Sequence, residues 1–524
     1  LIDLGELPPG TYSDYSNEPV PNGGRVNVGL YGNTTEASMS SEAPTLIPLT
    51  MSDGGTIRGE VTLYWAWNGL GEAEWVYIQF SGDGGETWTN IGYRYVNVGS
   101  TSGHTWNSTN VSSTAMGVWR IVLESDTNVY GQTETLFAVK NDPVSYYIND
   151  ANTNGDVYCS EPGSASNTGL ETNSPMDSLA ALMARYGVDH GDTVYVDTGV
   201  YPRSTPLAIA VSATAPTNYL IIQGSTNEAA GGTVFTNSSG AVLDLQKVQN
   251  VELRDLRLHG GSPGLLLTQS SSNRIFRVQS VGSRGNAFEL TTESDQNRFV
   301  QCAALGFFKT GLHVAVATGS NPKYATNHWI NGVISSVAAA SNGTAVATGA
   351  LVGVRSGRLY LSNSVLVANG PAHDVFSVGQ GAISGDYNAY HRPYANSMFA
   401  KVSSVVPFGV NLVPIEHLPA WAEWNLSDSH SLLADPLFVD LAGGDLHPKS
   451  TGGHYVPATA TFLEDTETSP LVDAADPSMA WTNETVPNGR RANIGIYGGT
   501  EFASRTSTNV GSFVLLSFNQ GGIA

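Results

Sequence analysis

The run Asn250-Val-Glu-Leu-Arg-Asp-Leu256 returns along the chain as Asn273-Arg-Ile-Phe-Arg-Val278, Asn297-Arg-Phe-Val-Gln-Cys302, Asn327-His-Trp-Ile-Asn-Gly-Val333 and Arg358-Leu-Tyr-Leu-Ser-Asn-Ser364, first at a near-constant interval and then at a slightly longer one. Each copy alternates apolar with polar side chains, the period of a strand with one buried face. A strand recurring in this way, with lengthening loops, is the pattern of a parallel β-helix whose insertions collect at one corner. Asn and Gly at matching places between the copies suit corners that need left-handed backbone. Stacked Asn side chains can also bond one another along the axis.

Upstream, Ser174–Gly187 carries a helix N-cap Ser, Pro175 at the first helical position, apolar Met176, Leu179, Leu182, Met183 and Tyr186 on one side, and a terminal Gly. This predicts one amphipathic helix plugging the open end of the solenoid, ahead of Gly191-Asp-Thr-Val-Tyr-Val-Asp-Thr-Gly-Val-Tyr201. Further upstream, residues 41–145 break into short alternating runs separated by turns, as in a β-sandwich of the Ig-like or fibronectin-III-like kind. Within it Ser81-Gly-Asp83-Gly-Gly85-Glu-Thr-Trp88 matches a single Asp box, which predicts a hairpin and not a propeller.

The fold class expected is therefore all-β: a right-handed parallel β-helix with an N-terminal helical cap, plus an Ig-like β-sandwich. Composition agrees. Only 13% of the 524 residues are charged, Gly is frequent at 58, and 46 acids against 24 bases give −22. That balance excludes nucleic acid and an anionic membrane surface as partners, since both demand clustered Lys and Arg. No apolar run is long enough for a membrane span. Cys159 and Cys302, far apart in the chain, predict neither a disulfide framework nor a zinc site.

A long-range repeat organises the whole chain. Residues 18–38, EPVPNGGRVNVGLYGNTTEAS, match residues 484–504, ETVPNGRRANIGIYGGTEFAS, at 13 of 21 positions and an offset of 466. Leu1-Ile2-Asp3 likewise matches Leu471-Val472-Asp473, and Leu46–Gly55 resembles Phe513–Gly522. Residues 1–40 then read as the C-terminal cap segment of a preceding β-helix unit, 41–145 as the sandwich, 146–505 as the β-helix with caps, and 506–524 as the first strand of the next sandwich. The expected junction residues are Pro21, Asn22, Gly23 and Tyr31, their counterparts Pro487, Asn488, Gly489 and Tyr497, and Phe513 and Leu515. The expected partners are neighbouring copies of the unit, head to tail.

The block from 146 to 505 resembles right-handed parallel β-helix proteins of the pectate-lyase-like superfamily. It is similar in particular to a bacterial surface version that opens on the 174–201 cap. That version closes on pieces that here read Asp386-Tyr-Asn-Ala-Tyr390, Asp428-Ser-His-Ser431, Asp435-Pro-Leu-Phe-Val-Asp440, Gly444-Asp-Leu-His-Pro-Lys-Ser450 and Pro487–Thr500. The resemblance implies an extracellular or cell-surface bacterial protein, and it leaves activity open, because the superfamily holds lyases, hydrolases, adhesins and phage spikes.

Two chemistries are weighed on that scaffold. Lyases of this fold need an Arg or Lys base near carboxylates that hold Ca²⁺, and hydrolases need paired carboxylates. Here Asp244, Glu252, Asp255, Glu289, Glu293 and Asp295 stand apart in sequence. Asp386, His391 and Arg392 form the richest local group, and Asp386 suits an Asx turn. No catalytic residue is assigned. The expected function is a structural or adhesive repeat unit of a surface fibre, filament or coat; the alternative is a polysaccharide lyase or glycoside hydrolase, which an outward cluster of carboxylates with Arg or Lys along one β-helix face would favour. An adhesin reading would use Trp329 or Tyr360 as stacking platforms for surface polysaccharide, against core or corner packing for both. One metal loop fits a known spacing: Asp150, Asn152, Asn154, Asp156 and Glu161 follow D-x-[DN]-x-[DN]-G-x5-E, with Gly155 at the turn. Ca²⁺ is the ion it would take; an ordinary Asx-turn loop is the other reading, and no further cofactor is implied.

Overall fold

Apolar residues at period two, recurring coil after coil, build three faces of parallel strands between residues 145 and 433. The computed structural model describes residues 15–507 except 23–25, 41–42, 70–72, 98–102, 142, 212–217, 317–324, 337–348, 369–372, 394–397 and 407–408. The chain separates into two compact units, one of residues 1–144 with 181–188 and one of 145–180 with 189–524.

In the second unit each coil lays one strand on each of three faces. Face A runs from Ser145–Ile148 and Thr193–Val196 to Ala382–Asp386, face B from Gly199–Arg203 to Leu432–Leu433, and face C from Leu207–Ile209 to Ala400–Val406. Inward residues stack in register: on face C, Leu243, Leu265, Phe288, Leu312, Val352, Phe376 and Ala400 are paired in succession and all are buried. Each large member stabilises the fold by about 2 kcal/mol through apolar burial. Trp329 belongs to this interior. It is fully buried, stacked on Phe299 at 5.7 Å and edge-on to Phe288, so it is core and no platform for a sugar. Tyr360 stays partly exposed on face A beside His328.

The corners show how the coils turn. Between faces A and B a single left-handed residue suffices, and most of these are not Asn or Gly: Asp255, Arg277, Gln301, Asn331, Asn363 and Tyr387 all have φ between 49° and 57°. The Asn ladder lies at the corner from face C to face A. Asn273, Asn297 and Asn327 are fully buried, and each Nδ2 of the first two donates to the next Oδ1 at 3.0 Å. Glu252 opposes Arg274 in the strand register, so Asn250 falls one place outside the ladder, at φ 51°.

Both helices differ from expectation. The first spans Leu179–Tyr186 and ends on Gly187 at φ 52°, but it starts later than the cap signal predicts. Met176 is held in a strand-like bridge, donating its N–H to Tyr147 and accepting from Asn149, so this pairing overrides helix propensity at residues 174–176. The second, Leu418–Asn425, has no counterpart in the expectation; it closes the far end of the β-helix with buried Trp421 stacked on Phe376 at 4.7 Å. There Ala400–Val406 turns into an antiparallel pair with Gly409–Ile415.

Beyond the helix the chain doubles back along the outside of face B. Ala303, Val333, Val365, Ala389 and Leu432 form an outward apolar column, and Leu446, Leu471, Ala492, Ile494 and Ile496 cover it. Backbone also meets backbone beside Val365: Gly495 N–H donates to the Asn363 carbonyl at 3.0 Å.

The first unit has two sheets, one antiparallel and ordering Thr45–Pro48, Glu60–Asn68 and Gly103–Asn107, the other centred on the antiparallel Ala73–Ser81 and Thr114–Leu123 with Thr56–Ile57 joining Phe137–Val139 in parallel at its edge. Trp65, Trp67, Trp106, Trp119, Phe80 and Phe137 share one core. The Asp-box segment is a hairpin turn: Asp83 accepts from Ser81 and Thr87, which holds its carboxyl well below the usual range, and Trp88 lies under Arg120.

Candidate functional site

Strand register assembles on face C what the sequence scatters. Asp244, Leu266, Glu289, His313, Gly353, Ser377 and Lys401 form one outward row, each paired with the next. Neighbouring strands lie about 4.8 Å apart, so Glu289 and His313 stand side by side. Gly353 leaves the next place open; a Cβ there would sit 3.3 Å from His313 Nδ1. Burial pushes the His313 imidazole below its ordinary value; nearby Arg355 and Lys309 act the same way and Glu289 opposes. Burial also raises the Asp244 carboxyl, and Lys401 Nζ is paired with Asp374 at 2.7 Å. A neutral imidazole between a carboxylate and two cations can take up a proton from a carbon next to an anionic group that the cations neutralise. The row offers no hydrolase pair, since Leu266 separates Asp244 from Glu289. Among the described residues no three His, Cys, Asp or Glu converge as a metal site.

A second feature is a cleft of about 930 Å³ where the returning segment 447–502 meets the first coils. Asp255, Arg257, Arg277, His447, Tyr455 and Glu501 line it. Arg277 holds Asp255 through two nitrogens, which spends both charges on each other. The buried His447 is stacked on Tyr497 at 3.7 Å and joined through Nδ1 to Asp445 at 2.6 Å, which leaves Nε2 without a hydrogen-bond partner.

The metal-loop residues engage in local hydrogen bonds. Asp150 Oδ1 accepts from the backbone and side chain of Asn152, and Asn152 Oδ1 accepts from Asn154 N–H, both Asx-turn geometry. Asp156 turns inward to accept from Asn149 at 2.6 Å; burial pushes its carboxyl up to about 6, with Asp197 and Asp150 adding to the rise, and its Oδ1 has no partner. Glu161 is engaged through its backbone carbonyl, which accepts from Asn149. Of the local group named above, Asp386 pairs with His430 at 2.6 Å, His391 lies 3.9 Å from Asp435, and Arg392 donates to the Glu416 carbonyl. Both cysteines are free.

The two copies of the repeated motif fold alike. Glu18 Oε1 accepts from Asn27 and Asn33 N–H; its counterpart Glu484 accepts through Oε1 from Asn493 and Gly499. Asn27 and Asn493 donate to the carbonyls of Ser38 and Ser504, and Thr34 and Thr500 hydroxyls to those of Tyr31 and Tyr497. Ser40 N–H reaches Pro21, as Thr506 reaches Pro487. Among the expected junction residues, Asn22 donates to Tyr15 while Asn488 donates to Glu484, and Gly489 at φ 54° lies where a Cβ would strike the Asp473 carboxylate. Gly23, Phe513 and Leu515 lie outside the described residues. Sequence reasoning missed the pairing of Glu289 with His313, because a full coil of chain separates them and only the coil register joins them.

No protein-family model and no curated protein matches the chain. Among solved structures, it is similar to pectate lyase Pel9A, with a TM-score of 0.34 and 15% identity over 68% of this chain and 96% of that one. It is also similar to an alginate lyase from Paenibacillus sp. str. FPU-7, with 0.30 and 14% over 41% and 84%, and to a rhamnogalacturonan lyase, with 0.36 and 12% over 62% and 97%.

Proposed function

We propose that the chain is one period of an exported tandem-repeat protein, in which an Ig-like sandwich alternates with a capped β-helix to build a surface fibre, filament or coat. The observation that carries this reading is the motif at 15–40, whose described residues repeat the bonds around Glu484 and Asn493 at a constant offset. A motif whose counterpart finishes a β-helix has a role before the sandwich when another β-helix stands before it. Rigid stacked coils suit a load-bearing strut. Electron microscopy with an antibody against this chain tests it: extended surface structures carrying the label are expected, and label confined to dispersed protein would overturn it.

A second reading, a lyase acting on an acidic polysaccharide, is favoured by the Glu289–His313 pair with Lys309 and Arg355. His313 would act as base and the two cations would neutralise a uronate.

A further inference from the structure

The two copies of the motif share an internal fold but not surroundings. Val20 and its counterpart Val486 are equally exposed, at 76% and 72%. The largest differences among apolar residues lie along one edge, and Ser38 is likewise exposed where Ser504 is buried. Val28 and Leu30 are 45% and 87% exposed, whereas the matching Ile494 and Ile496 are 1% and 7% exposed, packed on the outward column of face B. Gly29 would meet nothing with an added Cβ; Gly495 would meet Val365 at 3.5 Å. Tyr31 is exposed, while Tyr497 is stacked on His447. An apolar edge presented by a motif that is internally hydrogen-bonded through Glu18 and Asn27 is a binding surface, and here the molecule itself displays its complement.

We infer that residues 28–31 dock on the outward apolar column of face B in another copy of this unit, in the way residues 494–497 dock on their own. This rests on the repeat-unit reading and names the partner surface. Gly29 N–H would then donate to the carbonyl that corresponds to Asn363 O, and Val28 and Leu30 would cover positions equivalent to Val333 and Val365.

Two experiments on the full chain test the inference. In the first, residues 484–504 are replaced by the sequence of residues 18–38, so that the exposed copy is offered its proposed partner in place. The melting temperature is expected within about 4 °C of the wild type, and Leu30→Asp within the transplant is expected to lower it well beyond that. Melting of the transplant as low as that of Ile494→Asp would overturn the proposal. In the second, Ile494→Asp with Ile496→Asp bares the column of one copy for the N-terminal edge of the next. Sedimentation is expected to show concentration-dependent head-to-tail oligomers that Leu30→Asp weakens at least about tenfold. Oligomers indifferent to Leu30→Asp, or a folded monomer at every concentration, would refute it. Neither outcome depends on finding fibres at a cell surface, so failure here is distinct from failure of the repeat-unit reading.

Discussion

Glu484 holds its motif together through one oxygen and strains it through the other. Oε1 accepts two backbone N–H groups, while buried Oε2 has no partner. Burial pushes the carboxyl up to about 7, with Asp473 adding to the rise. A folded-state value above the unfolded one means that the folded chain binds the proton more tightly. Stability from this group is therefore full below about pH 4.5 and is lost as pH rises through 7, by at most about 3 kcal/mol. Glu484→Gln keeps the accepting oxygen and removes the charge. Urea unfolding is expected to show it more stable than the wild type at pH 8 and nearly equal at pH 5, with a residual slope from Asp473, which burial also raises. The loop at Asp150–Glu161 makes a contrasting case. Its Asp150 and Asn152 oxygens are committed to turn bonds, so millimolar Ca²⁺ is expected to leave the melting temperature unchanged; a rise would show the loop rearranging to bring Asp156 Oδ1 onto the ion.

At the scale of elements, the Asn ladder is the feature most open to a single cut. Asn297 Oδ1 accepts from both the N–H and Nδ2 of Asn273, and its own Nδ2 donates to Asn327 and Ser270. Asn297→Ala takes the side-chain partner from the buried Asn273 N–H and the Ser270 carbonyl and leaves Asn273 Nδ2 only its bond to Val248, so a loss of about 3 kcal/mol is expected in urea titrations. The coils and this ladder were legible in the sequence because a stack repeats one chemical requirement at a steady interval. The left-handed corner between faces A and B was not, since Arg277 and Gln301 carry no turn signature and are bent by the stack itself. Nor was the closing helix: Leu-Pro-Ala-Trp-Ala-Glu-Trp-Asn is too short to show a period, and its packing partners Phe376 and Phe399 come from strands well before it. The same reason hid the face C row. Its members lie at least one full coil apart along the chain, so Asp244, Glu289 and Lys401 each look solitary until register places them in line.

For the whole molecule the net charge of −22 bears directly on the choice between scaffold and lyase. An acidic polysaccharide approaching this chain meets repulsion that salt screens beyond a Debye length, roughly 30 Å at 0.01 M and 8 Å at physiological strength, and that persists at closer range. Against that field face C sets few cations among the described residues: Lys309 and Arg355 beside His313, and Lys401, whose charge Asp374 already balances. A lyase working on polyuronates would gain rate by concentrating positive charge along its groove. The expected outcome is therefore that polygalacturonate and alginate yield no unsaturated uronate, at low salt or at physiological salt, under conditions where the chain is folded by circular dichroism. Should product appear, the row supplies the discriminating variants. His313→Ala would then abolish it by removing the base, while Arg355→Ala would raise KM more than it lowers kcat, because a cation that holds the uronate in both ground and transition states contributes uniform binding. Activity that survived both variants would place the chemistry elsewhere, and the cleft at His447, with its free Nε2, would be the next surface to probe.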